Sequence, residues 1–196
     1  GRFLTQREHP RMALIVPSIK ATTLELRAPG MLRLEIELGL PHPQLAPMLE
    51  VQVWDDSVRA YDCDDVTATW FSNAIGVPCR LVRFHPDVVR ATSTTWTGGV
   101  AASTMFADGY PVLIAGSASL DDVNDKLRAA GREALPMNRF RPNLVIGDIG
   151  AFEEDYAAFL QFGATVLTPV KPCSRCPIPS VDQATGVPGP DPLDVM

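Results

Sequence analysis

Leu32–Arg33–Leu34–Glu35–Ile36–Glu37–Leu38 alternates four apolar side chains with three charged ones. Successive side chains of a strand point to opposite faces, so this stretch reads as a β-strand with one wet face. Just upstream, Ala28–Pro29–Gly30 is a turn signal, and Thr22–Arg27 before it completes a hairpin. Leu49–Trp54 repeats the pattern, with Leu49, Val51 and Val53 on one side and Glu50 and Gln52 on the other. Met12–Val16, closed by Pro17, is expected to be a buried strand. Arg80–Phe84, Val112–Ala115, Leu144–Ile146 and Thr165–Val170 add short strand-like runs. The pattern is β-rich.

Helical spacing enters twice. Asp64 or Asp65 can cap a helix carrying Val66, Trp70, Phe71 and Ala74 and ending near Gly76. Ser119 can cap a second, with Asp121 and Asp122 in its first turn, Leu120, Val123 and Leu127 on one face, and Gly131 at its end. Pro41, Pro43 and Pro47 read as a stiff connection. Val88–Thr104, rich in Thr, Ser and Gly, reads as a long loop between the two halves, of a length more often functional or poorly ordered than merely connecting. Ala151–Gln161 fits a helix or a loop, and Glu153–Glu154–Asp155 within it reads as a solvated face. The proline-rich tail Pro177–Met196 holds turns.

The chain has 196 residues, 46% hydrophobic and 20% charged, with net charge −6. A packed core is expected, and no basic run could neutralise several phosphates, which argues against nucleic acid as a partner. No apolar run has the length to span a bilayer. Four cysteines do not make a disulfide scaffold and fit a reducing, cytoplasmic compartment.

The chemistry concentrates in Val170–Lys171–Pro172–Cys173–Ser174–Arg175–Cys176. A thiolate is a soft metal ligand, and the cations Lys171 and Arg175 favour it. Pro172 and Pro177 stiffen the loop on both sides. A pair of incidental cysteines in a turn reads equally well. Zinc would need two more ligands, and Cys63, Cys79, His9, His42 and His85 are scattered. A thioredoxin-like pair would need a helix through the motif, which Pro177 and Pro179 oppose. Farther upstream, Arg139 and Arg141 flank Phe140, with Asn143 close behind. An arginine fork there suits a phosphate or a pterin edge.

Four segments in order carry a resemblance: Phe106–Ala–Asp–Gly–Tyr–Pro–Val–Leu–Ile, Ser119–Leu–Asp–Asp–Val–Asn, Arg139–Phe–Arg–Pro–Asn–Leu–Val–Ile and Val170–Lys–Pro–Cys–Ser–Arg–Cys. Together they resemble a MOSC domain of the amidoxime-reducing component branch and its bacterial relatives. Val181–Asp–Gln–Ala–Thr–Gly in the tail resembles the same branch. Phe3–Leu–Thr–Gln–Arg–Glu–His–Pro and Cys63–Asp–Asp–Val–Thr–Ala–Thr–Trp resemble the β-barrel domain that precedes MOSC. The resemblance implies an α+β, β-rich fold: an N-terminal MOSC β domain over residues 1–87, and a MOSC β-barrel over 88–196.

It also implies an oxidoreductase containing the molybdenum cofactor, Mo-molybdopterin. Such an enzyme reduces N-hydroxylated compounds by transferring oxygen to a cysteine-ligated molybdenum. Cys176 falls on the ligand, with Cys173 as second choice. Asp108, Arg141, Asn143, Ser174 and Arg175 fall on cofactor contacts. The partners implied are a small N-hydroxylated substrate and an electron-transfer protein or fused iron–sulfur domain. The alternative is a molybdopterin or sulfur carrier without turnover. Pyridoxal phosphate is a further association of the family. Family members also use residues preceding Gly1 and following Met196, so the pocket is expected to be incomplete in these 196 residues.

Overall fold

The structure, a computed structural model, describes residues 1–39 and 46–196. Pro41 and Pro43 lie outside the described residues. The chain forms two compact units, Gly1–Arg90 with Val181–Pro188, and Ala91–Ser180 with Gly189–Met196.

In the first unit, Pro10–Leu14 is a 3-10 helix, where a buried strand was expected from Met12. Pro10 begins it, a position where a missing N–H costs nothing. Strand β1 (Val16–Ile19) follows and contains Pro17. It is largely exposed because it pairs only with β2 (Thr23–Arg27), at the sheet edge that tolerates proline. β2 pairs antiparallel with β3 (Leu34–Glu37), placing Leu26 opposite Leu34 and Leu24 opposite Ile36. Gly30, at φ +73°, makes the turn. Leu24, Leu34 and Ile36 pack with Phe71 around the buried Leu26, Trp70 and Ala74, so the period-two reading holds for Leu34 and Ile36, whereas Leu32 and Leu38 beyond the ends of β3 are exposed.

A second antiparallel sheet runs β4 (Met48–Val53), β5 (Asp56–Asp62), β6 (Val82–Phe84). β5 was not anticipated. Its turn from β4 is the pair Trp54–Asp55, which carries no glycine or asparagine signal although Trp54 sits at φ +53°. Val58 and Ala60 of β5 are buried. Buried Asp62 takes the Arg80 Nε–H at 2.9 and 3.0 Å on its two oxygens, and this contact holds its carboxyl below the usual range. Helix α1 (Asp65–Ile75) is capped by Asp64, whose Oδ1 accepts the Thr67 N–H at 2.7 Å. It ends at left-handed Gly76. Trp70 and Ala74 face the core, whereas Val66, one turn earlier on the same stripe, is 73% exposed in the first turn of the helix.

Strands β7 (Arg90–Ala91) and β8 (Ser103–Thr104) fall within the stretch read as one long loop. In the second unit, β9 (Ile114–Gly116) leads straight into α2 (Ser117–Ala129), and the chain returns as β10 (Leu144–Ile146) parallel to β9. Val123, Leu127 and Phe140 form the buried cluster, with Leu120, Leu135 and Val195 against it. Asn124 of α2 is buried and clips Leu135 at two points, donating to its carbonyl at 3.0 Å and accepting its N–H at 2.7 Å. The stretch read as helix or loop, Ala151–Gln161, contains a 3-10 turn (Glu153–Tyr156) and the start of β11 (Leu160–Phe162). β11 pairs antiparallel with β12 (Thr165–Leu167) across Gly163. The class is α+β and β-rich, as expected. Its sheets are small, and among the described residues none closes into a barrel.

The Asp64 cap yields a stability prediction. Asp64 sits at φ +122°, where an L side chain is strained, and the bond to Thr67 offsets that strain. Asp64→Ala should destabilise the protein by about 1 kcal/mol. Asp64→Gly, which relieves the backbone, should cost less. Urea titration followed by circular dichroism checks both.

Candidate functional site

The second unit contains a cavity of about 520 Å³. One wall is β9 and α2, through Ile114, Ala115, Gly116, Ser119, Leu120 and Val123. Another is the cysteine loop, through Lys171, Pro172, Cys173 and Arg175. Phe140, Phe152 and Glu154 also contribute.

The junction of β9 and α2 is built on a single carboxylate. Glu154 Oε1 accepts the Gly116 N–H at 2.7 Å and the Ser119 hydroxyl at 2.6 Å. Ser119 Oγ in turn accepts the Phe152 N–H at 2.8 Å. The first amides of a helix have no intrahelical partner and carry its positive dipole end, so an anion there is favourable. Ser119 therefore lies inside the first turn, not at the cap as expected, and Gly116 is the N-cap residue. A Cβ on Gly116 would stand 2.7 Å from Glu154 Oε2 and 2.8 Å from Ser119 Oγ, so the bonded carboxylate needs glycine there. Burial would push the Glu154 carboxyl up. The Ser119 and Gly116 bonds outweigh it, helped by the Arg175 charge, and hold it below the usual range. Glu154 thus differs from the solvated face expected of the acidic run. A run of three acids gives no hint which one turns inward. Gly116, between an apolar strand and a helix, was the available clue.

The cysteine loop is anchored by its cations. The Lys171 ammonium lies 5.2 Å from the Trp96 ring centroid, and the Arg175 guanidinium 5.6 Å from that of buried Phe140. Cys173 is exposed, and its thiol reaches the Ser174 carbonyl at 3.7 Å. Cys176 is half-buried and, with exposed Ser174, is not among the lining residues. Of the residues singled out by sequence, Cys173 and Arg175 meet in the cavity wall. Asp108, Arg141 and Asn143 are exposed and stand outside the lining, with Arg141 at φ +53°. Asn143 ties β10 to β9: its Oδ1 accepts the Leu113 N–H at 2.8 Å and its own N–H donates to the Leu113 carbonyl at 2.8 Å. Among the described residues, no three His, Cys, Asp or Glu side chains gather as a metal site.

Comparison with known proteins places these elements. The MOSC domain matches residues 101–195, which contain most of the cavity lining, and the MOSC N-terminal beta barrel domain matches residues 1–78. The chain belongs to the MOSC family. The mouse mitochondrial amidoxime-reducing component 1 is 30% identical over 191 residues, 95% of this chain and 54% of its own. The human mitochondrial amidoxime reducing component 2 is 31% identical over 192 residues, 95% of this chain and 55% of its own. The molybdenum cofactor sulfurase of Oryza sativa subsp. japonica is 30% identical over 200 residues, 95% of this chain and 24% of its own. This MOSC chain thus spans about half the length of the amidoxime-reducing components it matches. Pyridoxal phosphate finds no support in these matches. No described helix is long and apolar enough to cross a membrane.

Gly116→Ala should cost about 2 kcal/mol, because the methyl displaces a charged hydrogen-bond acceptor from two donors. The folded Glu154 carboxyl titrates below its unfolded value, so its stabilisation is complete above about pH 4.3 and is lost as pH falls through the lower folded value. Thermal midpoints compared between wild type and Glu154→Gln should therefore show a stability difference that shrinks on acidification through that window.

Proposed function

We propose that this MOSC chain holds the molybdenum cofactor against its cysteine loop and reduces N-hydroxylated compounds in the cavity of its second unit. The observation that carries this reading is the wall in which Cys173 and Arg175 meet, a thiol and a guanidinium lining one 520 Å³ space. The donor set fits the group. With no cluster of three ligating side chains among the described residues, a metal that brings its own dithiolene ligands and needs one protein thiolate suits the loop better than a bare ion. The names of the animal relatives point the same way.

Cys176 is assigned as the ligand by its place in the motif, although the thiol that lines the cavity is that of Cys173, the second choice. Arg175 and Ser174 are assigned to the cofactor, as are Asp108, Arg141 and Asn143. Arg175 and Lys171 supply positive charge for a terminal phosphate. The apolar wall of Leu113, Ile114, Leu120 and Phe140 excludes water from the reacting end. When bound, the molybdenum is the two-electron redox centre. The balance is R–NH–OH plus two electrons and two protons giving R–NH2 and water. The electrons come from an electron-transfer protein or a fused iron–sulfur domain, and the reaction is placed in the cytoplasm. The rice cofactor sulfurase favours a second reading, a molybdopterin or sulfur carrier without turnover.

Metal analysis of purified full-length protein tests the assignment. Wild type should carry one molybdenum per chain and Cys176→Ala almost none, with Cys173→Ala close to wild type. Retention in Cys176→Ala with loss in Cys173→Ala moves the ligand to Cys173. An N-hydroxylated substrate supplied with reductant separates the enzyme from the carrier, which would hold molybdenum and leave the substrate unchanged.

A further inference from the structure

Trp96 is the second unit's one tryptophan, and it is 46% exposed. A large apolar ring left half open has a cost that its own loop does not explain. The loop closes on itself without the indole. Gly99 N–H donates to the Thr94 carbonyl at 3.1 Å, Val100 N–H to Thr97 at 3.2 Å, and the Thr97 hydroxyl to Val100 at 2.6 Å. Thr92 N–H meets the Ala102 carbonyl at 2.9 Å where the loop's ends come together, and the Tyr110 hydroxyl pins Ser93 at 3.2 Å. Gly98 and Gly99, at φ +63° and +85°, allow the reversal.

The ring's position is fixed from elsewhere. The Lys171 ammonium stands 5.2 Å from its centroid. Trp96 is not itself a lining residue, but Lys171, Thr97, Ala102 and Tyr110 all line the cavity, and through Lys171 the indole sits next to that lining on the side of the cysteine loop. A flat, polarisable ring of set orientation, open to solvent beside a reaction cavity, is a stacking surface.

We propose that Trp96 is a specificity-determining residue that stacks the planar aromatic part of an N-hydroxylated substrate at the edge of the cavity. The substrate class rests on the reductase reading above. Ring stacking is worth a few-fold to about ten-fold in affinity. A small aliphatic N-hydroxylated compound has no ring to stack and gains nothing from Trp96.

The test uses the molybdenum-loaded full-length protein with benzamidoxime and acetamidoxime. Trp96→Ala and Trp96→Leu should raise KM for benzamidoxime about 3- to 10-fold. Trp96→Phe should restore it, KM for acetamidoxime should stay unchanged, and any loss of kcat from a displaced Lys171 should fall on both compounds alike. If wild type reduces both and the substitutions leave the ratio of KM values unaltered, stacking on Trp96 is overturned and the reductase reading stands. A second readout needs no turnover. Titration with benzamidoxime should quench indole fluorescence in wild type but not in Trp96→Phe, which retains Trp54 and Trp70. If wild type reduces neither compound, the reductase reading fails and this titration decides: Trp96-dependent quenching supports the ring site, and its absence overturns it.

Discussion

One carboxylate holds the second unit's strand–helix junction together. Glu154 Oε1 satisfies the N-cap amide of α2 and the Ser119 hydroxyl, and Ser119 returns the contact to the Phe152 amide of the segment that carries Glu154. The end of β9 and the start of α2, continuous in sequence, are thereby tied at one point to the distant 3-10 turn at Glu153–Tyr156. Charge is part of the bond. A neutral acceptor would meet the same two donors, but it would not answer the helix's positive end. Gly116 is the steric counterpart, because any side chain there would occupy the space of the carboxylate.

The cysteine loop depends on that junction at one remove. Arg175 rests on Phe140, and Phe140 packs against Val123 and Leu127 of the helix whose first turn Glu154 holds. Leu127 is 1% exposed, so this packing leaves little freedom. A thiol-bearing loop without regular hydrogen bonding thus takes its position from an aromatic ring fixed in a core. Asn143 and Asn124 serve the same scaffold by meeting backbone groups on Leu113 and Leu135.

Much of this was legible in the sequence, for identifiable reasons. The hairpin around Gly30, both helices and the Asp64 cap follow from period, turn chemistry and capping, all of which act within a few residues. β5 was missed because its turn rests on Trp54 and Asp55, whose left-handed backbone no local signal announces. Met12–Val16 was misread because a short apolar run does not distinguish a strand from a 3-10 turn beginning at a proline. The cysteine loop was conspicuous by composition, and its lining role for Cys173 and Arg175 follows from long-range packing. Glu154 and Trp96 were not legible as site residues. Their roles rest on partners 35 or more residues away for Glu154 and 75 away for Trp96.

The two cations of the loop share a feature that bears on its chemistry: each is set against a ring, and among the described residues neither has a carboxylate oxygen at bonding distance. A cation–π contact at a partly exposed site is worth about 0.5–1 kcal/mol, whereas a bond to a fully charged oxyanion is worth about 1.5–3. The rings therefore orient Lys171 and Arg175 without neutralising them. Glu154 contributes only at a distance, its bonded oxygen already committed to Gly116 and Ser119. An anion in the proposed site would meet two positive charges that flank Cys173 in sequence and line the same cavity. It can draw on both without first breaking an ion pair, which makes the wall an anion-accepting surface built around a thiol.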